Sequence, residues 1–385
     1  MAAKVLAEQG AAPRLLYVVS EDWYFLSHRL PMARAARNAG FEVHVATRVI
    51  DGAAAIRSEG FTLHPIPFTR GTLSPLAAWK TIAALRSLHR AIAPAICHHV
   101  ALQACVLGST AAIGMRPAQV NALTGFGYAF TGSDVRARLL RFVLGAMLRF
   151  LFVRHGNVVL VQNPDDYVSL QKMGIPAGHI VVIHGSGVDT EKLQPLPEPA
   201  GPPAVAFVGR LLEDKGVRAL VEAHRLLRQR GIRVRLLLAG TQDPANPASI
   251  ADEEITAWRQ EPGLELLGHV NPIETVWARA HIAALPSHRE GLPKSLLEAA
   301  ACARPMVATD VPGCREIVLP GLTGLLVPVD DPIALAEAIA TLAASPQLRN
   351  EYGAAARRLA VERFSAAAIG EQTAELYARL LHPPS

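Results

Sequence analysis

Short apolar runs alternate with longer amphipathic stretches along most of the chain. The runs RLLYVVS (14–20), FEVHVAT (41–47) and AICHHV (95–100) are almost continuously apolar, which is typical of buried parallel strands. Between them, segments such as SPLAAWKTIAALRSLHRAIA (74–93) repeat apolar residues at helical spacing. Strand and helix therefore alternate, and this pattern predicts an α/β protein with doubly wound parallel sheets.

The alternation is interrupted around residues 191–203, where the chain is rich in proline and has no period. We interpret this segment as a linker between two domains, 1–190 and 204–365. The tail 366–385 contains a helix rich in Glu, Ala and Leu, and we expect it to return to the first domain. A length of 385 residues suits two such domains better than one.

Composition agrees with a large buried core, since 50% of the residues are hydrophobic and 18% are charged. The four cysteines have no C-x-x-C spacing, so we expect small buried thiols in a reducing compartment rather than a zinc site or disulfides. The first residues are too polar for a secretory signal, and no apolar run approaches about 18 residues, so no membrane span is predicted.

The segment EGLPKSLLE (290–298) carries the strongest functional signal. The apolar run before it predicts a buried strand, and the Leu- and Ala-rich run after Pro293 predicts a helix. Glu290 then lies at the carboxyl end of a strand, where open α/β sheets bind ligands, beside amide groups that favour anions. Glu298 follows about one turn into the helix. A glutamate pair taken alone is more often two solvated side chains.

A second motif, VGRLLEDKG (208–216), ends a strand and opens a helix. Arg210 and Lys215 could converge on one anion, the arginine as a rigid fork and the lysine as a mobile charge. An ordinary surface loop with solvated charges is the alternative. The two motifs together describe a diphosphate held by cations and a sugar held by carboxylates.

These motifs, with the continuation PSHREGLPKSLLEAAACARPMVATDVPGCREIVLPGLTGLLVPVDD, make the chain resemble glycosyltransferase family 4. The resemblance is specific over 205–365 and looser in the first half. It implies a GT-B fold, in which two Rossmann-like domains face each other across a cleft and a C-terminal helix returns to the first domain. It also implies a retaining transfer from a nucleotide sugar.

The resemblance assigns roles residue by residue. Arg210 and Lys215 would hold the donor diphosphate, Glu290 the donor sugar, and Glu298 the ribose, with the base near Val270. The donor site would thus consist of Arg210, Lys215, Val270, Glu290, Gly291, Leu292, Pro293, Lys294 and Glu298. The chain has no Asp-x-Asp motif, so we expect neither a metal nor another cofactor.

The acceptor side is predicted from the first half. Strand 14–20 leads into a helix that we predict to begin near Ser27. Ser27, His28 and Arg29 then lie in the loop after this strand, where many relatives carry two glycines, which indicates a charged acceptor contact instead. Gly125 and Gly127 of the segment TGFGYAF are further acceptor candidates. His98 is the candidate catalytic histidine, with His99 as an alternative, and a buried core histidine is equally compatible with the pattern.

Positive charge is concentrated in the first half. Residues 1–190 contain 18 Lys and Arg against 10 Asp and Glu, a net charge of +8. The acid-free segment 135–164 carries Arg138, Arg141 and Arg149 beside bulky apolar residues, as in an interfacial amphipathic helix. A core-packed helix with an arginine-lined face is the alternative. No nucleic-acid motif is visible, so we expect an anionic membrane surface as partner.

We therefore expect a hexosyl- or N-acetylhexosaminyltransferase at the inner face of the cytoplasmic membrane. Its donor would be a nucleotide sugar, with UDP favoured. The first half resembles the branch of the family that builds lipid-linked oligosaccharides and surface polysaccharides, and this resemblance implies a lipid-diphosphate-linked sugar as the acceptor. A nucleotide-sugar epimerase of the same fold and a non-catalytic nucleotide-sugar-binding partner are the alternatives. The absence of G-x-G-x-x-G gives a dinucleotide dehydrogenase little support.

Overall fold

The computed structural model describes residues 12–69, 74–123, 145–154, 156–244 and 246–382. The strands are β1 Arg14–Glu21, β2 Glu42–Arg48, β3 Thr62–Pro65, β4 Ile96–Val100, β5 Ala118–Ala122, β6 Asn157–Val161, β7 Ile180–Val182, β8 Ala204–Val208, β9 Arg235–Ala239, β10 Leu264–Gly268, β11 Ile282–Leu285, β12 Met306–Thr309 and β13 Gly324–Val327. The helices are α1 Asp22–His28, α2 Leu30–Asn38, α3 Ala53–Ser58, α4 Pro75–Ile92, α5 Leu102–Ala111, α6 Pro164–Lys172, α7 Val217–Gln229, α8 Asp252–Trp258, α9 Glu274–Trp277, α10 Lys294–Ala301, α11 Cys314–Ile317, α12 Pro332–Ala344, α13 Pro346–Phe364 and α14 Ala366–Leu381.

These elements form two compact units. The first unit consists of Met1–Gly187 and Ala366–Ser385, and the second of Val188–Ser365. The first contains a parallel sheet in the order β3-β2-β1-β4-β5-β6-β7, and the second a parallel sheet in the order β10-β9-β8-β11-β12-β13. Both orders reverse direction beside their first strand, which is the doubly wound arrangement that the alternation of strand and helix predicted.

Helix starts follow a local rule that is legible in the sequence. Four helices begin with a polar N-cap followed at once by proline, and each N-cap side chain accepts a hydrogen bond from an amide three residues on. The pairs are Ser74–Pro75, Asn163–Pro164, Asp331–Pro332 and Ser345–Pro346. These caps fix α4, α6, α12 and α13 at positions that the sequence already specifies.

The C-terminal helix completes the first unit, as expected. Helix α14 packs closely on α2, since a Cβ at Gly370 would lie 2.8 Å from the Cβ of Ala35. Its Tyr377 is fully buried, and the Tyr377 and Tyr17 hydroxyls are 2.7 Å apart. The apolar layer over β1 and β4 therefore includes residues from both ends of the chain.

The segment interpreted as a linker, 191–203, is packed onto the second unit. Leu193 is buried in its core, and Glu198 accepts two hydrogen bonds from the guanidinium of Arg349, at 2.6 and 2.9 Å. Arg357 donates to the carbonyl oxygen of Leu193 at 2.6 Å. The second unit thus begins at 188 rather than 204, because these long-range contacts hold a segment that has no periodicity of its own.

Candidate functional site

The two motifs meet at the point where the strand order of the second sheet reverses. Strand β8 lies between β9 and β11, and the chain reaches β11 only after building β9 and β10 on the other side. Loop 209–216 leaves β8 and loop 286–293 leaves β11 at the same carboxyl edge. Ligands of open α/β sheets bind at this kind of position.

Backbone contacts hold these two loops against each other. The amide of His288 donates to the carbonyl oxygen of Asp214 at 2.9 Å. Gly216 has φ +67°, and a Cβ there would lie 1.9 Å from the carbonyl oxygen of Pro286. Only glycine combines this left-handed backbone with such a close approach.

The contact brings Lys215 and Glu290 together from separate motifs. Lys215 Nζ lies 2.5 Å from Glu290 Oε1, and the hydroxyl of Ser287 donates to the same oxygen at 2.7 Å. The side chains keep only 25% and 10% of their exposure, so the pair is largely shielded from water. The structure therefore presents a cation and a carboxylate side by side at the edge of the sheet.

Arg210 contacts a different carboxylate from the one that Lys215 contacts. Its Nη1 lies 2.6 Å from Asp243 Oδ2, in the loop that follows β9. Arg210 therefore contacts the loop after β9, whereas Lys215 contacts the loop after β11. Asp243 was not among the predicted residues, although it is a carboxylate that follows a strand end, where ligands of such sheets bind.

The start of α10 lies directly after Glu290. A Cβ at Gly313 would lie 2.3 Å from the carbonyl oxygen of Gly291, so the loop before α11 packs tightly on this turn. Leu292 and Pro293 are buried, and Lys294 begins the helix. The turn that carries Glu290 is therefore fixed from both sides before the first amides of α10.

Glu298 is buried within α10. Burial raises the pKa of its carboxyl, while the ammonium of Lys294, 3.6 Å away, opposes the shift. Glu274 adds a second negative charge and Lys192 a further positive one. Neither Glu274 nor Lys192 was singled out from the sequence. Val270 is half-buried in the loop after β10, two strands away from β8.

The predicted acceptor residues lie in the first unit. Ser27 and His28 form the last turn of α1 rather than a loop, because the helix starts at Asp22 and buries Phe25 against Tyr17. Arg29 follows at the junction with α2 and is fully buried. The predicted acceptor residues Gly125 and Gly127 lie outside the described residues.

His98 is also fully buried, on β4. Its Nδ1 lies 2.5 Å from the hydroxyl of Tyr377, and His99 Nδ1 lies 2.9 Å from Asn121 Oδ1. Burial lowers the pKa of His98, and the charge of Arg29 lowers it further. Both histidines are thus neutral, core-facing side chains.

Only part of the segment 135–164 belongs to the described residues, and Arg138 and Arg141 lie outside them. In the helical segment 145–152, Leu148, Leu151 and Phe152 are buried in the core of the first unit. Arg149 is exposed, as is Phe150 at 67%. One face of this segment is therefore a core face. No helix among the described residues is long and apolar enough to cross a membrane.

One group of three side chains in the described part of the chain could hold a metal ion. Its donor atoms, on His89, Cys97 and His99, all lie within 4.8 Å of one another and are buried. Successive residues of a strand face opposite sides, so Cys97 and His99 lie on the side of β4 opposite His98. The group belongs to the first unit, whereas both motifs belong to the second.

Two family models match the chain, one for each unit. The model described as Glycosyl transferase 4-like matches residues 14–163, and the model described as Glycosyl transferases group 1 matches residues 202–345. The second match contains both motifs of the second unit.

Relatives that match over more than 90% of this chain also carry glycosyltransferase names. A Bacillus subtilis (strain 168) protein named as a glycosyltransferase, EpsD, is 27% identical over 94% of this chain and 96% of its own. The N,N'-diacetylbacillosaminyl-diphospho-undecaprenol alpha-1,3-N-acetylgalactosaminyltransferase of Campylobacter jejuni is 24% identical over 93% and 98%. The solved sucrose-phosphate synthase of Thermosynechococcus elongatus superposes with a TM-score of 0.80 at 21% identity, over 96% and 99%, and shares the fold.

Proposed function

The chain belongs to the group 1 glycosyl transferases, with a 4-like domain preceding the group 1 domain, and from this premise we propose a retaining enzyme of polysaccharide biosynthesis. It transfers a sugar from a nucleotide sugar, UDP-linked by preference, to a lipid-diphosphate-linked sugar. The observation that carries the proposal is the Lys215–Glu290 pair at the carboxyl edge of β8 and β11. A cation for phosphate and a carboxylate for sugar hydroxyls stand together there.

The donor diphosphate binds to Lys215 and Arg210, whose acidic neighbours in the free protein are Glu290 and Asp243. When the donor binds, its phosphate oxygens displace these carboxylates from the two cations or share the cations with them. Glu290 then accepts hydrogen bonds from the sugar, and Glu298 from the ribose. Such preoriented cations stabilise the charge that develops on the leaving phosphate.

The transfer needs no protein nucleophile. The bond between the anomeric carbon and the phosphate oxygen breaks, and the acceptor oxygen forms its bond on the same face. The acceptor proton passes to the departing phosphate oxygen, so the configuration is retained. Neither this step nor the cation-held diphosphate calls for a metal ion.

The acceptor is a sugar on a lipid diphosphate, and the enzyme acts at the inner face of the cytoplasmic membrane. The Campylobacter relative carries such an acceptor in its name. The net charge of +8 over residues 1–190 supports contact with an anionic surface.

A panel of UDP- and other nucleotide sugars, offered with an undecaprenyl-diphosphate sugar, tests the proposal. We expect a product that requires both substrates, keeps the donor's anomeric configuration by NMR and forms equally well in EDTA. An isomerised nucleotide sugar formed without acceptor would favour the epimerase instead. Donor binding without any turnover would favour a non-catalytic partner.

A further inference from the structure

Three side chains of the metal-binding types converge in the core of the first unit. His89 of α4 and Cys97 and His99 of β4 are all buried, and their donor atoms lie within 4.8 Å of one another. Cys97 Sγ is 3.6 Å from His89 Nε2. A sulfur and a nitrogen that share one metal ion at tetrahedral or trigonal angles lie about 3.6–3.8 Å apart. This pair therefore already has the spacing of two metal ligands.

The ring of His99 is fixed through one of its two nitrogens. Its Nδ1 donates to Asn121 Oδ1 at 2.9 Å, and the Ser109 hydroxyl donates to the same oxygen at 2.9 Å. Nε2 therefore carries the lone pair, and it has no hydrogen-bond partner among the described residues. Histidines that bind metals almost always donate their other ring N–H to an oxygen, which fixes the ring and its tautomer. His99 is oriented in the same way.

A thiolate with imidazoles suits Cu(I) or Zn(II), and charge decides between the two ions. Burial lowers the pKa of His89 to about 4 and that of His99 to about 3, so both rings are neutral at pH 7. Burial raises the pKa of Cys97, so the sulfur holds a proton until a metal replaces it.

Exchange of this proton for Cu⁺ leaves the net charge of the group at zero. Zn²⁺ would instead leave a net positive charge, which is unfavourable in a buried position. The charge of Arg86 adds to burial in lowering the pKa of His89, so it opposes any further positive charge there. Zinc also normally takes four ligands, whereas this group offers three.

We propose that His89, Cys97 and His99 form a binding site for one Cu(I) ion, which links α4 to β4. The S–Cu bond forms as the S–H bond of Cys97 breaks, and one proton leaves to solvent without a change of oxidation state. The donor residues of the proposed transfer lie in the second unit, so the site is independent of that reaction.

Anaerobic titration of the metal-free protein with Cu(I), against bicinchoninate as a competing chelator, tests the site. We expect one Cu(I) per chain, release of one proton in weak buffer, and a higher melting temperature. Cys97→Ser and His89→Gln should each weaken binding at least about 100-fold, and Asn121→Ala about 10–100-fold through His99. Cys314→Ser replaces a buried thiol of the second unit and should bind Cu(I) like wild type.

X-ray absorption at the copper edge tests the same site in the unaltered protein, so the result does not depend on how a variant folds. One sulfur and two nitrogens should bind the ion. Two or more sulfurs on the copper, or equal affinity in wild type and Cys97→Ser, would overturn the site. Zinc that displaces Cu(I) at equal concentration would overturn the choice of ion.

Discussion

Lys215 and Arg210 each face one carboxylate at the edge of the second sheet, at 2.5 and 2.6 Å. Lys215→Ala and Arg210→Ala should each lower kcat by about 10²–10³, because removing one preoriented group that stabilises developing charge typically costs this much. Arg225→Ala is the matched control, since Arg225 lies on α7 and pairs with Glu261, which follows α8. Steady-state transfer rates and circular dichroism are the measurements. Turnover within a few-fold of wild type in both site variants would remove them from the donor site.

The burial of Glu298 makes the free energy of unfolding depend on pH. Its pKa in the folded state lies above the ordinary 4.5 because of burial. The folded state therefore keeps a proton that the unfolded chain releases, and stability falls as pH rises from about 4.5 through the folded pKa. Glu298→Gln should remove this fall, gaining up to about 1.4 kcal/mol per pH unit across that window.

Denaturant unfolding at pH 4.5 and pH 8 measures the difference, with the exposed Glu253→Gln as control. The same Glu298→Gln variant should bind nucleotide sugar more weakly. An unfolding free energy that changes with pH equally in wild type and Glu298→Gln would contradict the linkage.

Single residues were predictable where a local rule placed them. Glu290 and Lys215 follow strands that a short apolar run identifies, and adjacent parallel strands end at one edge. Asp243 also follows a strand end, but its contact with Arg210, like that of Ser287 with Glu290, depends on which loops face each other in the folded sheet. The burial of Arg29 was equally hidden, since the sequence shows a charged residue and not the packing around it.

At the scale of the elements, the loop after β8 and the loop after β11 approach each other closely at Gly216. Gly216→Ala would place a Cβ on a left-handed backbone and against the carbonyl oxygen of Pro286. Gly231 is also left-handed, with φ +74°, but no atom lies within 4 Å of its Cβ position. Gly231→Ala should cost about 1–2 kcal/mol in unfolding free energy from backbone strain alone. Gly216→Ala should cost a further ~1–3 kcal/mol from the clash and should weaken donor binding. Equal losses in urea titrations would show that the loops can separate freely.

The order and type of elements followed from periodicity, and their ends from caps. The exception is α1, predicted to begin near Ser27 and found to begin at Asp22. The run Trp23, Tyr24, Phe25 has little helix propensity of its own. Packing of Phe25 on Tyr17 decides the outcome, and that contact is tertiary.

At the scale of the molecule, charge asymmetry leads to a membrane prediction. Joint replacement of Arg138, Arg141 and Arg149 by glutamate should weaken binding to anionic vesicles at low salt by about 10²-fold, since each basic residue near the surface contributes about 1 kcal/mol. Arg225, Arg228 and Arg230 in the second unit serve as the matched triple replacement. Co-sedimentation measures both. Equal binding by wild type and the first triple variant would make segment 135–164 a core element only.

The interrupted first unit has a consequence for how the protein is made. The ribosome completes the whole second unit, Val188–Ser365, before it supplies α14. Until then the apolar layer over β1 and β4 lacks Tyr377 and Ile369. Chains stopped at 365 should therefore yield a protease-resistant second unit beside a rapidly cleaved first one. The half of the protein that is synthesised first is the half that finishes folding last.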